Sequence, residues 1–591
     1  MIPADNTSRF PAPARTIESG PWRLQLRGDE LADIEYRGHP VLRAIRPVVR
    51  DHDWRTLAPA VEAVTFDDGG TFTLRLTVRF AGFGAEYSAD LTVSFSGNDL
   101  RVTFDGTAPS DFRSNRIGLV VLHRPDDAGR HVTVSAPGGT RTESAFPADI
   151  SPHQPLVDIA AMAWDRDGTA FRLEFTGDVF ETEDQRNWTD ASFKTYSTPL
   201  SRPFPVTVHA GDQVQQSICL TAQPAAADPG PAEQGPAEQA ADAVSAEPAD
   251  NVLTVRRQIQ GKVPALGTSA SRSAARLGVV PGLDALIVEL PSDVTRASEL
   301  LQPAVRQAAE LGAPLDVRIA AGGGADVGPV LDLLPLGKVA RLGVFSSDSH
   351  VTEPELWEEL RSEAQRRGFT GTRLAGARSH FTELNRRQDV LPRDAGALTY
   401  SITPQMHATE VPHIVDSVPM QRLTARNALR IGAGKPLHIG PVTLKARFNA
   451  VSTDGAYDAR TAEAMTTDPL QAEDFAAAWL LGSIAALTLP GVESVSYFEA
   501  SGPRGLIADD GTPTPAFRVF EKLAALRGAG VLQVDGDVPG LVLYPVSTDA
   551  GVLLFAANLT AAPLSVAVRL EDGGAQTFDI PAWQHTIRPL G

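Results

Sequence analysis

Two glutamates lie in polar segments that could carry acid–base chemistry. Glu383 lies in Phe381-Thr-Glu-Leu-Asn-Arg386, and Glu499 lies in Ser496-Tyr-Phe-Glu-Ala500. A pair of carboxylates can supply a general base and a general acid when their surroundings separate their pKa values. Carboxylates about 5 Å apart suit a nucleophile with an acid/base partner, and a wider gap admits a water. The alternative is that each glutamate forms a surface salt bridge.

A second unusual stretch is Glu181-Thr-Glu-Asp-Gln-Arg-Asn-Trp-Thr-Asp-Ala-Ser-Phe-Lys-Thr-Tyr196. It mixes acids, bases, amides and three aromatic rings, and it has no clean helical or strand period. Charged groups that hydrogen-bond and flat rings that stack suit a surface for a hydroxyl-rich ligand. An ion-paired strand at a domain interface is the alternative. The candidate binding residues in this stretch are Arg186, Asn187, Trp188, Asp190 and Lys194.

Further polar residues follow other apolar runs. His407 could orient a substrate or shuttle a proton, or it could be a buried core histidine. Lys445, Arg447 and Asn449 could hold an oxyanion, a carboxylate or sugar hydroxyls, or they could pair with nearby acids. Glu289 is a weaker candidate of the same kind as the two glutamates above. The candidates for substrate contact in this part of the chain are His380, Asn385, His407, Arg447 and Tyr497.

The histidines and acids of this region lack the spacing of a metal site. His380, Glu383, His407 and His413 contain no His-x-His or His-Glu-x-x-His pattern. We therefore expect neither a metal nor another cofactor.

The bulk composition is that of an ordinary globular protein. The 591 residues are 42% hydrophobic and 21% charged, and 72 acids against 53 bases give a formal net charge of -19. This charge opposes binding to nucleic acid or to an anionic membrane. The single cysteine, Cys219, excludes an intramolecular disulfide. The run from Phe475 to Val492 predicts a buried helix rather than a membrane span, since Ser483, Thr488 and Pro490 interrupt it.

The first residues, Met-Ile-Pro-Ala-Asp-Asn-Thr-Ser-Arg, lack an apolar signal core. We therefore expect a cytoplasmic protein with no nucleic-acid or membrane partner. The sequence leaves the oligomeric state open.

Residues 1–222 predict a β-sandwich. Phe72–Phe80 alternates strictly between apolar and polar side chains. Leu91–Phe95 and Leu100–Phe104 are matched strands joined by Ser96-Gly-Asn-Asp99, a hairpin signature. Many such strands without a helical period favour a large sandwich. Residues 223–250 are rich in Ala, Pro, Glu and Gln, and their composition predicts a flexible linker.

Residues 251–528 alternate short apolar runs with amphipathic helices. The eight predicted strands are Val263–Gly267, Ala285–Glu289, Leu315–Ile319, Arg341–Phe345, Leu374–Ala377, Leu398–Ile402, Leu437–Leu444 and Val495–Phe498. The predicted helices are Arg296–Leu311, Pro354–Arg367, Asp468–Leu487 and Pro515–Leu526. This alternation predicts a (β/α)8 TIM-like barrel. Residues 529–591 return to strands and predict a small C-terminal β-sandwich domain.

In such a barrel, polar residues just past the C-terminal ends of the strands build the active site. Glu383 follows the fifth predicted strand and Glu499 ends the eighth. Because these strands are three apart around the ring, we expect the two carboxylates to face each other across the mouth. The stretch from Glu181 to Tyr196 would then form a wall over the same pocket.

The assembled motifs resemble the D-apionate lactonase family over nearly the whole chain apart from the linker. The resemblance is carried by Glu183–Tyr196, Phe381–Arg386, Pro404-Gln-Met-His-Ala408, Pro441-Val-Thr-Leu-Lys-Ala-Arg-Phe-Asn449 and Ser496–Ala500. It implies an amino-terminal β-domain, a barrel resembling clan A glycoside hydrolases, and a small carboxy-terminal β-domain. It also implies hydrolysis of a sugar-acid lactone, D-apionolactone to D-apionate.

For this reaction we expect Glu383 and Glu499 to supply a base for water and an acid for the leaving oxygen. Arg186 or Arg447 would stabilise the oxyanion. The expected walls for the sugar ring are Trp188 and Tyr497. The alternative is a retaining exo-glycosidase, in which the same two glutamates are acid/base and nucleophile. A non-catalytic carbohydrate-binding protein is a third possibility.

Overall fold

The computed structural model describes residues 14–67, 72–224, 252–451 and 459–591. Contacts between Cα atoms divide the chain into two compact units. The first comprises Met1–Arg186, Ala191–Val244 and Val451–Ala456, and the second comprises Asn187–Asp190, Ser245–Ala450 and Tyr457–Gly591. The initial Met-Ile-Pro segment and the predicted linker, from Ala225 onward, lie outside the described residues.

The first unit is built from strands, as its alternating sequence predicts. The strands are β1 (Arg15–Ser19), β2 (Trp22–Arg27), β3 (Glu30–Tyr36), β4 (His39–Asp51), β5 (Ala58–Asp67), β6 (Thr73–Gly82), β7 (Ala85–Ser96), β8 (Asp99–Thr107), β9 (Phe112–His123), β10 (His131–Ser135), β11 (Arg141–Ala145), β12 (Leu156–Ile159), β13 (Ala161–Arg166), β14 (Thr169–Thr176), β15 (Phe180–Asp184), β16 (Phe193–Tyr196), β17 (Val206–Val208) and β18 (Gln213–Pro224). Short 3₁₀ turns lie at Pro125–Asp127 and Gln185–Trp188. The predicted hairpin is confirmed, since Ser96 pairs with Asp99 where β7 turns into β8.

These strands form two nine-stranded antiparallel sheets. One has the order β1-β2-β3-β4-β9-β16-β15-β12, with β17 also on β9, and the other has the order β11-β10-β13-β14-β18-β8-β7-β6-β5. One hydrophobic cluster contains Leu24 and Leu42 from the first sheet together with Leu76 and Val93 from the second. Strand alternation therefore buries one face of each sheet in a common core.

In the second unit, eight strands close into a barrel, and each of the eight predicted runs overlaps one of them. After β19 (Val252–Lys262), the barrel strands are β20 (Ala265–Ser269), β21 (Leu286–Pro291), β22 (Leu315–Ala321), β23 (Val339–Ser346), β24 (Thr372–His380), β25 (Ala397–Ser401), β26 (Leu437–Val442) and β27 (Val492–Ser501), and β28 (Gly505–Ile507) adds to the last. The ring closes because β20 pairs in parallel with both β21 and β27.

Helices connect most of the barrel strands. They are α1 (Val294–Leu311), α2 (Gly328–Leu333), α3 (Pro354–Arg366), α4 (Phe381–Arg386), α5 (Val411–Ile431), α6 (Ala459–Thr466), α7 (Asp474–Leu487) and α8 (Pro515–Ala524), with 3₁₀ turns at Leu336–Lys338, Gln388–Val390 and Pro469–Ala472. Residues 270–285, between β20 and β21, contain no helix. The alternation of strand and helix is therefore irregular at the first barrel strand.

One helix begins later than predicted, and four helices (α2, α4, α5 and α6) have no counterpart in the prediction. Asp468 was expected to begin a helix that runs to Leu487, but its carboxylate caps the 3₁₀ turn Pro469–Ala472, and α7 begins at Asp474. The interruption arises because Glu473 is extended, with φ -94° and ψ 161°. The sequence also gave no prediction of α5, which carries Pro419 in its interior.

The C-terminal sheet includes a strand from before the barrel. It has the order β33-β32-β19-β29-β30-β31-β34, and its further strands are β29 (Gly530–Asp535), β30 (Leu541–Thr548), β31 (Gly551–Asn558), β32 (Leu564–Leu570), β33 (Ala575–Ile580) and β34 (His585–Leu590). Leu253 and Val255 of β19 share a hydrophobic cluster with Leu554, Val568 and Phe578.

The apolar run from Phe475 forms a buried helix, as predicted. Most side chains of α7 are buried, and the ring of Phe475 meets Trp583 edge-on at 5.8 Å between centroids. Among the described helices, none combines the length and the hydropathy that a membrane crossing requires.

Candidate active site

A cavity of about 580 Å³ lies toward the C-terminal ends of the first, second, seventh and eighth barrel strands. These strands contribute Ser269, Glu289, Pro441 and Glu499 to its lining. The helix-free segment 269–276 and one face of α1 form the remaining wall, and Lys445 and Arg447 enter from the loop after the seventh strand. The mouth of a barrel is where this fold places its active sites.

Glu499 is held at one oxygen and open at the other. Its Oε1 accepts hydrogen bonds from Nε of Arg504 at 2.9 Å and from Nη2 at 2.6 Å, and no described residue donates to Oε2. Burial raises the pKa of this carboxyl above its ordinary value. The charges of Arg504, Arg447 and Arg272 oppose that rise only in part. The preceding Phe498 has φ 56°, an unusual backbone conformation for a non-glycine residue and one that concentrates at functional sites.

Glu289 lines the same cavity but is fully ion-paired. Its Oε1 lies 2.9 Å from Nη1 of Arg447, and its Oε2 lies 3.1 Å from Nη2 of Arg378. Burial by itself would raise the pKa of this carboxyl. The charges of Arg447, Arg378 and Arg318 outweigh burial and hold the pKa at about 2. Glu289 is therefore ionised at neutral pH.

Arg447 is fixed from three sides. Besides its contact with Glu289, its Nη2 donates to the carbonyl oxygen of Arg378 and, at 3.2 Å, to Oγ of Ser401. These contacts hold a cationic group at the cavity that Arg447 lines.

Glu383 is placed differently from Glu499. Its Oε2 accepts hydrogen bonds from Oγ of Ser379 at 2.7 Å and from the backbone N–H of His380 at 2.9 Å. Glu383 is the third residue of α4, so its carboxylate joins the first turn of that helix to the end of β24. The residues that line the cavity include Glu499 and Glu289 but not Glu383.

A separate group of side chains surrounds Trp188, and we call it the Trp188 cluster: Asn187, Trp188, Asp190, His380 and His407. The Trp188 ring lies 5.7 Å from the His380 ring and 5.9 Å from the His407 ring, between centroids. Nδ1 of His407 lies 2.6 Å from Oδ2 of Asp190. The four residues Asn187–Asp190 group with the second unit, and Trp188 is only 7% exposed.

The cluster is tied to α4, and one of its ring nitrogens has no hydrogen-bond partner among the described residues. Asn385 donates to Oδ1 of Asn187 at 2.9 Å, and the guanidinium carbon of Arg386 lies 5.8 Å from the Trp188 ring centroid. Nε2 of His380 is buried without a hydrogen-bond partner. Burial, with the charges of Arg447 and His407, lowers the pKa of His380 to about 3, which keeps its imidazole neutral.

Two other residues of the opening stretch have structural partners in the first unit. Arg186 is 1% exposed; its Nη2 donates to Asp184 at 2.8 Å and to the carbonyl of Pro147 at 2.7 Å. Lys194 lies 2.6 Å from Glu183 on the paired strand. The ion-paired strand, which was the alternative for this stretch, describes Lys194 on β16. Arg186 is also ion-paired but lies in the 3₁₀ turn Gln185–Trp188, and the expected oxyanion role of Arg186 is not supported by these contacts.

The expectation for Tyr497 needs correction. Its side chain is fully buried, and its hydroxyl lies 2.8 Å from Oγ of Ser483 on α7. The ring therefore packs between the barrel and its helical layer, where it cannot wall a ligand at the mouth. Glu499, two residues further along β27, lines the cavity all the same, because the positive φ of Phe498 interrupts the alternation between them.

Sequence reasoning missed three arginines of the site: Arg272, Arg378 and Arg504. Arg378 had a signal, since it directly follows the predicted strand Leu374–Ala377, where a barrel of this kind places its active-site residues. Arg504 had none, because it reaches Glu499 only through the turn at Gly502, which has φ 94°. Within the described ranges, no three histidine, cysteine, aspartate or glutamate side chains come together in a way that could hold a metal ion.

Solved structures resemble the chain only distantly. A GH30 endoxylanase from Clostridium papyrosolvens C71 is 12% identical with a TM-score of 0.34, and covers 57% of this chain and 98% of its own. A beta-arabinopyranosidase is 11% identical with a TM-score of 0.33, and covers 97% of this chain and 98% of its own. Likenesses this distant leave the function undecided.

Family models match along most of the chain. The model of the D-apionate lactonase N-terminal domain matches residues 2–225, and that of the D-apionate lactonase TIM barrel domain matches residues 267–528. A protein named D-apionate lactonase from Brucella anthropi is 27% identical over 598 residues, which cover 93% of each chain. The resemblance found in the sequence is confirmed: the chain belongs to the D-apionate lactonase family, a family of hydrolases.

Proposed function

We propose that this chain hydrolyses the lactone of a sugar acid, with D-apionolactone as substrate and D-apionate as product. The named relative supports the substrate class. The observation that carries the proposal is the state of Glu499, which lines the cavity with one oxygen anchored on Arg504 and the other without a partner among the described residues. A buried carboxyl with a raised pKa is suited to general acid–base work near neutral pH.

Glu499 acts first as base and then as acid. Water attacks the lactone carbonyl carbon while Glu499 Oε2 takes a proton from it, which gives a tetrahedral oxyanion. The ring C–O bond then breaks, the carbonyl re-forms, and Glu499 returns the proton to the departing ring oxygen. One water is consumed and one hydroxy acid is formed.

Arg447 stabilises the oxyanion, and Glu289 keeps Arg447 in place. A preorganised cation aimed at developing negative charge is among the strongest contributions to catalysis. The ionised carboxylate of Glu289 fixes the guanidinium through the 2.9 Å contact. In this proposal the second carboxylate of the cavity is Glu289 rather than Glu383. Glu383 instead positions α4.

A retaining glycosidase is the second candidate, because two carboxylates, Glu289 and Glu499, line one cavity. Such a pair suits glycoside cleavage through a covalent intermediate. The glycosidase pair would then be Glu289 and Glu499, whereas the pair expected from the sequence was Glu383 and Glu499.

The test is a pH-indicator assay on D-apionolactone and other aldonolactones beside a panel of aryl glycosides. Acid release without a new reducing end supports the lactonase. Because lactones also hydrolyse spontaneously, the Glu499→Gln variant at equal concentration is the matched blank. Aryl-glycoside turnover and trapping by an activated fluoro-sugar would replace the lactonase with the glycosidase, and binding without any turnover would favour the non-catalytic alternative.

A further inference from the structure

The helix-free segment 269–276 is firmly attached at the edge of the cavity. The backbone N–H of Ser271 donates to Oε1 of Gln307 on α1 at 3.0 Å, and its hydroxyl lies 2.9 Å from Oγ of Ser501 on β27. The N–H of Ser273 donates to the Ser271 hydroxyl at 2.9 Å. The backbone on both sides of Arg272 is therefore held by hydrogen bonds.

The turn after the eighth barrel strand supports the same segment. A Cβ added at Gly502 would lie 3.3 Å from Cβ of Ser273, so the segment packs against the turn where only a glycine leaves room. Since Glu499 lies three residues before Gly502, the segment and the candidate acid–base group share one support.

Arg272 is an unpaired cation on this anchored segment. It lines the cavity and is exposed, and its side chain has no hydrogen bond or ion pair with any described residue. Its charge nevertheless reaches the Glu499 carboxyl. By contrast, Arg276 of the same segment lies 2.9 Å from Oε1 of Glu310, and Arg504 is bound to Glu499.

The cavity is more basic than the protein that contains it. Its basic lining residues are Arg272, Arg276, Arg306, Lys445, Arg447 and Arg504, and its acidic ones are Glu289, Glu299, Glu310 and Glu499. The excess of basic groups contrasts with the net charge of -19 for the whole chain. A site with this charge favours an anionic ligand over a neutral one.

A buried hydroxyl near Glu499 also lacks a partner in the part of the chain that the structure describes. Oγ of Ser269 is buried without a hydrogen bond to any described residue, and Ser269 is paired with Glu499 across the first and eighth strands. Buried polar groups are seldom left unpaired, so such a hydroxyl beside a cavity suits a ligand oxygen.

Building on the proposed function, we propose that Arg272, with the Ser269 hydroxyl, binds the carboxylate that lactone opening creates, so that the aldonate product is retained and inhibits the enzyme. The neutral lactone has no charge for Arg272 to pair with. When water opens the ring, the new acid loses a proton to solvent and becomes an anion beside an unpaired guanidinium. Arg272 is thus a residue that distinguishes product from substrate.

The test is calorimetric titration of D-apionate into the full chain and two variants, with inhibition constants measured in the lactone assay. Arg272→Gln is expected to weaken D-apionate binding about tenfold, the size of a hydrogen bond to a charged group, while the KM for D-apionolactone stays within about twofold. Arg276→Gln is the matched control, because it removes the same charge from the same segment at a residue that is already paired. An unchanged Tm for Arg272→Gln verifies folding.

The proposal would be overturned if Arg272→Gln and Arg276→Gln weakened D-apionate binding equally. It would also be overturned if Arg272→Gln raised the KM and the inhibition constant equally. Either result would indicate a general effect of positive charge. A wild-type protein that binds no D-apionate would overturn the proposal as well. The titration needs no turnover, so it separates the two ideas. If D-apionate binding depends on Arg272 but the protein hydrolyses no lactone, the anion site stands and the lactonase proposal fails. If the protein hydrolyses the lactone but D-apionate binding does not depend on Arg272, the lactonase proposal stands and the anion site fails.

Discussion

Two polar regions of the barrel unit differ in how completely their groups are paired. In the Trp188 cluster most polar groups are paired: rings pack on rings, Asp190 holds His407, and Asn385 holds Asn187, while Nε2 of His380 has no hydrogen-bond partner among the described residues. In the cavity, Glu499 keeps one oxygen open and Arg272 has no partner among the described residues. A group that is already paired has little left for a substrate, so chemistry is expected where pairing is incomplete.

The two glutamates of the sequence analysis show this difference most directly. Glu383 accepts a hydroxyl and a backbone N–H at the start of α4. Glu499 lies beside the arginines of a cavity, where burial raises its pKa. Glu383 follows β24 and Glu499 lies near the end of β27, so position along the chain does not separate them. Their surroundings do.

The largest expected effect is that of Glu499→Gln, which removes the proton-transfer group. Turnover of D-apionolactone should fall at least about a hundredfold. Glu383→Gln keeps an oxygen that can accept the same hydrogen bonds, so its rate should stay within about fivefold, with at most a few degrees' loss in Tm. Steady-state kinetics and thermal unfolding of both variants measure this contrast.

A Glu383→Gln variant that is folded yet as slow as Glu499→Gln would restore the pair assigned from the sequence. The contrast between a reacting and a positioning glutamate would then be lost. Near-normal turnover of a folded Glu499→Gln variant would remove Glu499 from the chemistry altogether.

A smaller effect is expected of Glu289→Gln, which leaves Arg447 and Arg378 without their counter-charge. Turnover should fall about tenfold as the oxyanion donor loosens. In the wild type, the pKa of Glu289 lies at about 2, below that of an unfolded glutamate. Its ionised form therefore stabilises the fold above the unfolded pKa, and this stabilisation is lost as pH falls toward about 2.

Urea unfolding midpoints over that acid range measure this linkage. The wild type should lose stability more steeply than Glu289→Gln, which has no carboxyl to protonate. Parallel curves for the two proteins would show that the ion pair does not stabilise the fold.

The pH profile should shift in Arg504→Gln. Burial raises the pKa of Glu499 while Arg504, Arg447 and Arg272 lower it, so removal of the first of these charges raises the pKa further. Because Glu499 must be ionised to act as a base, it then becomes protonated and inactive at a higher pH than in the wild type. The acid limb of the kcat/KM profile therefore shifts to higher pH. Arg504→Lys keeps the charge and should leave the limb near that of the wild type. An unmoved limb in Arg504→Gln would exclude Glu499 as the titrating base.

The sequence predicted the barrel well because strand burial leaves a local pattern. All eight runs were found, since parallel strands covered on both faces are short and continuously apolar. The helix that Asp468 was expected to begin was misplaced, because the extended backbone of Glu473 has no signature in side-chain pattern. The entry of β19 into the C-terminal sheet depends on pairing with strands at least 268 residues away along the chain, which no local pattern encodes.

The site was harder to predict than the fold. A dense motif such as Thr382-Glu-Leu-Asn385 drew attention to residues that pair with one another. Arg272 and Arg504 lie in segments rich in serine, alanine and glycine, where nothing marks them as functional. Their importance depends on the closure of the first strand against the eighth, which only the folded chain shows.

The smallest effect is expected in the Trp188 cluster. Asp190→Asn keeps an oxygen facing Nδ1 of His407 but removes its charge, so Tm should fall by about 2–4 °C, equivalent to one weakened hydrogen bond. Asp190→Ala leaves the imidazole unpaired and should lower Tm further. Neither variant should reduce kcat/KM more than about threefold, because a paired histidine outside the cavity lining supports packing rather than proton transfer. A drop beyond tenfold at unchanged Tm would make the Asp190–His407 pair part of the reaction. In that case the pairing of His407 with Asp190 would no longer mark the cluster as a supporting region.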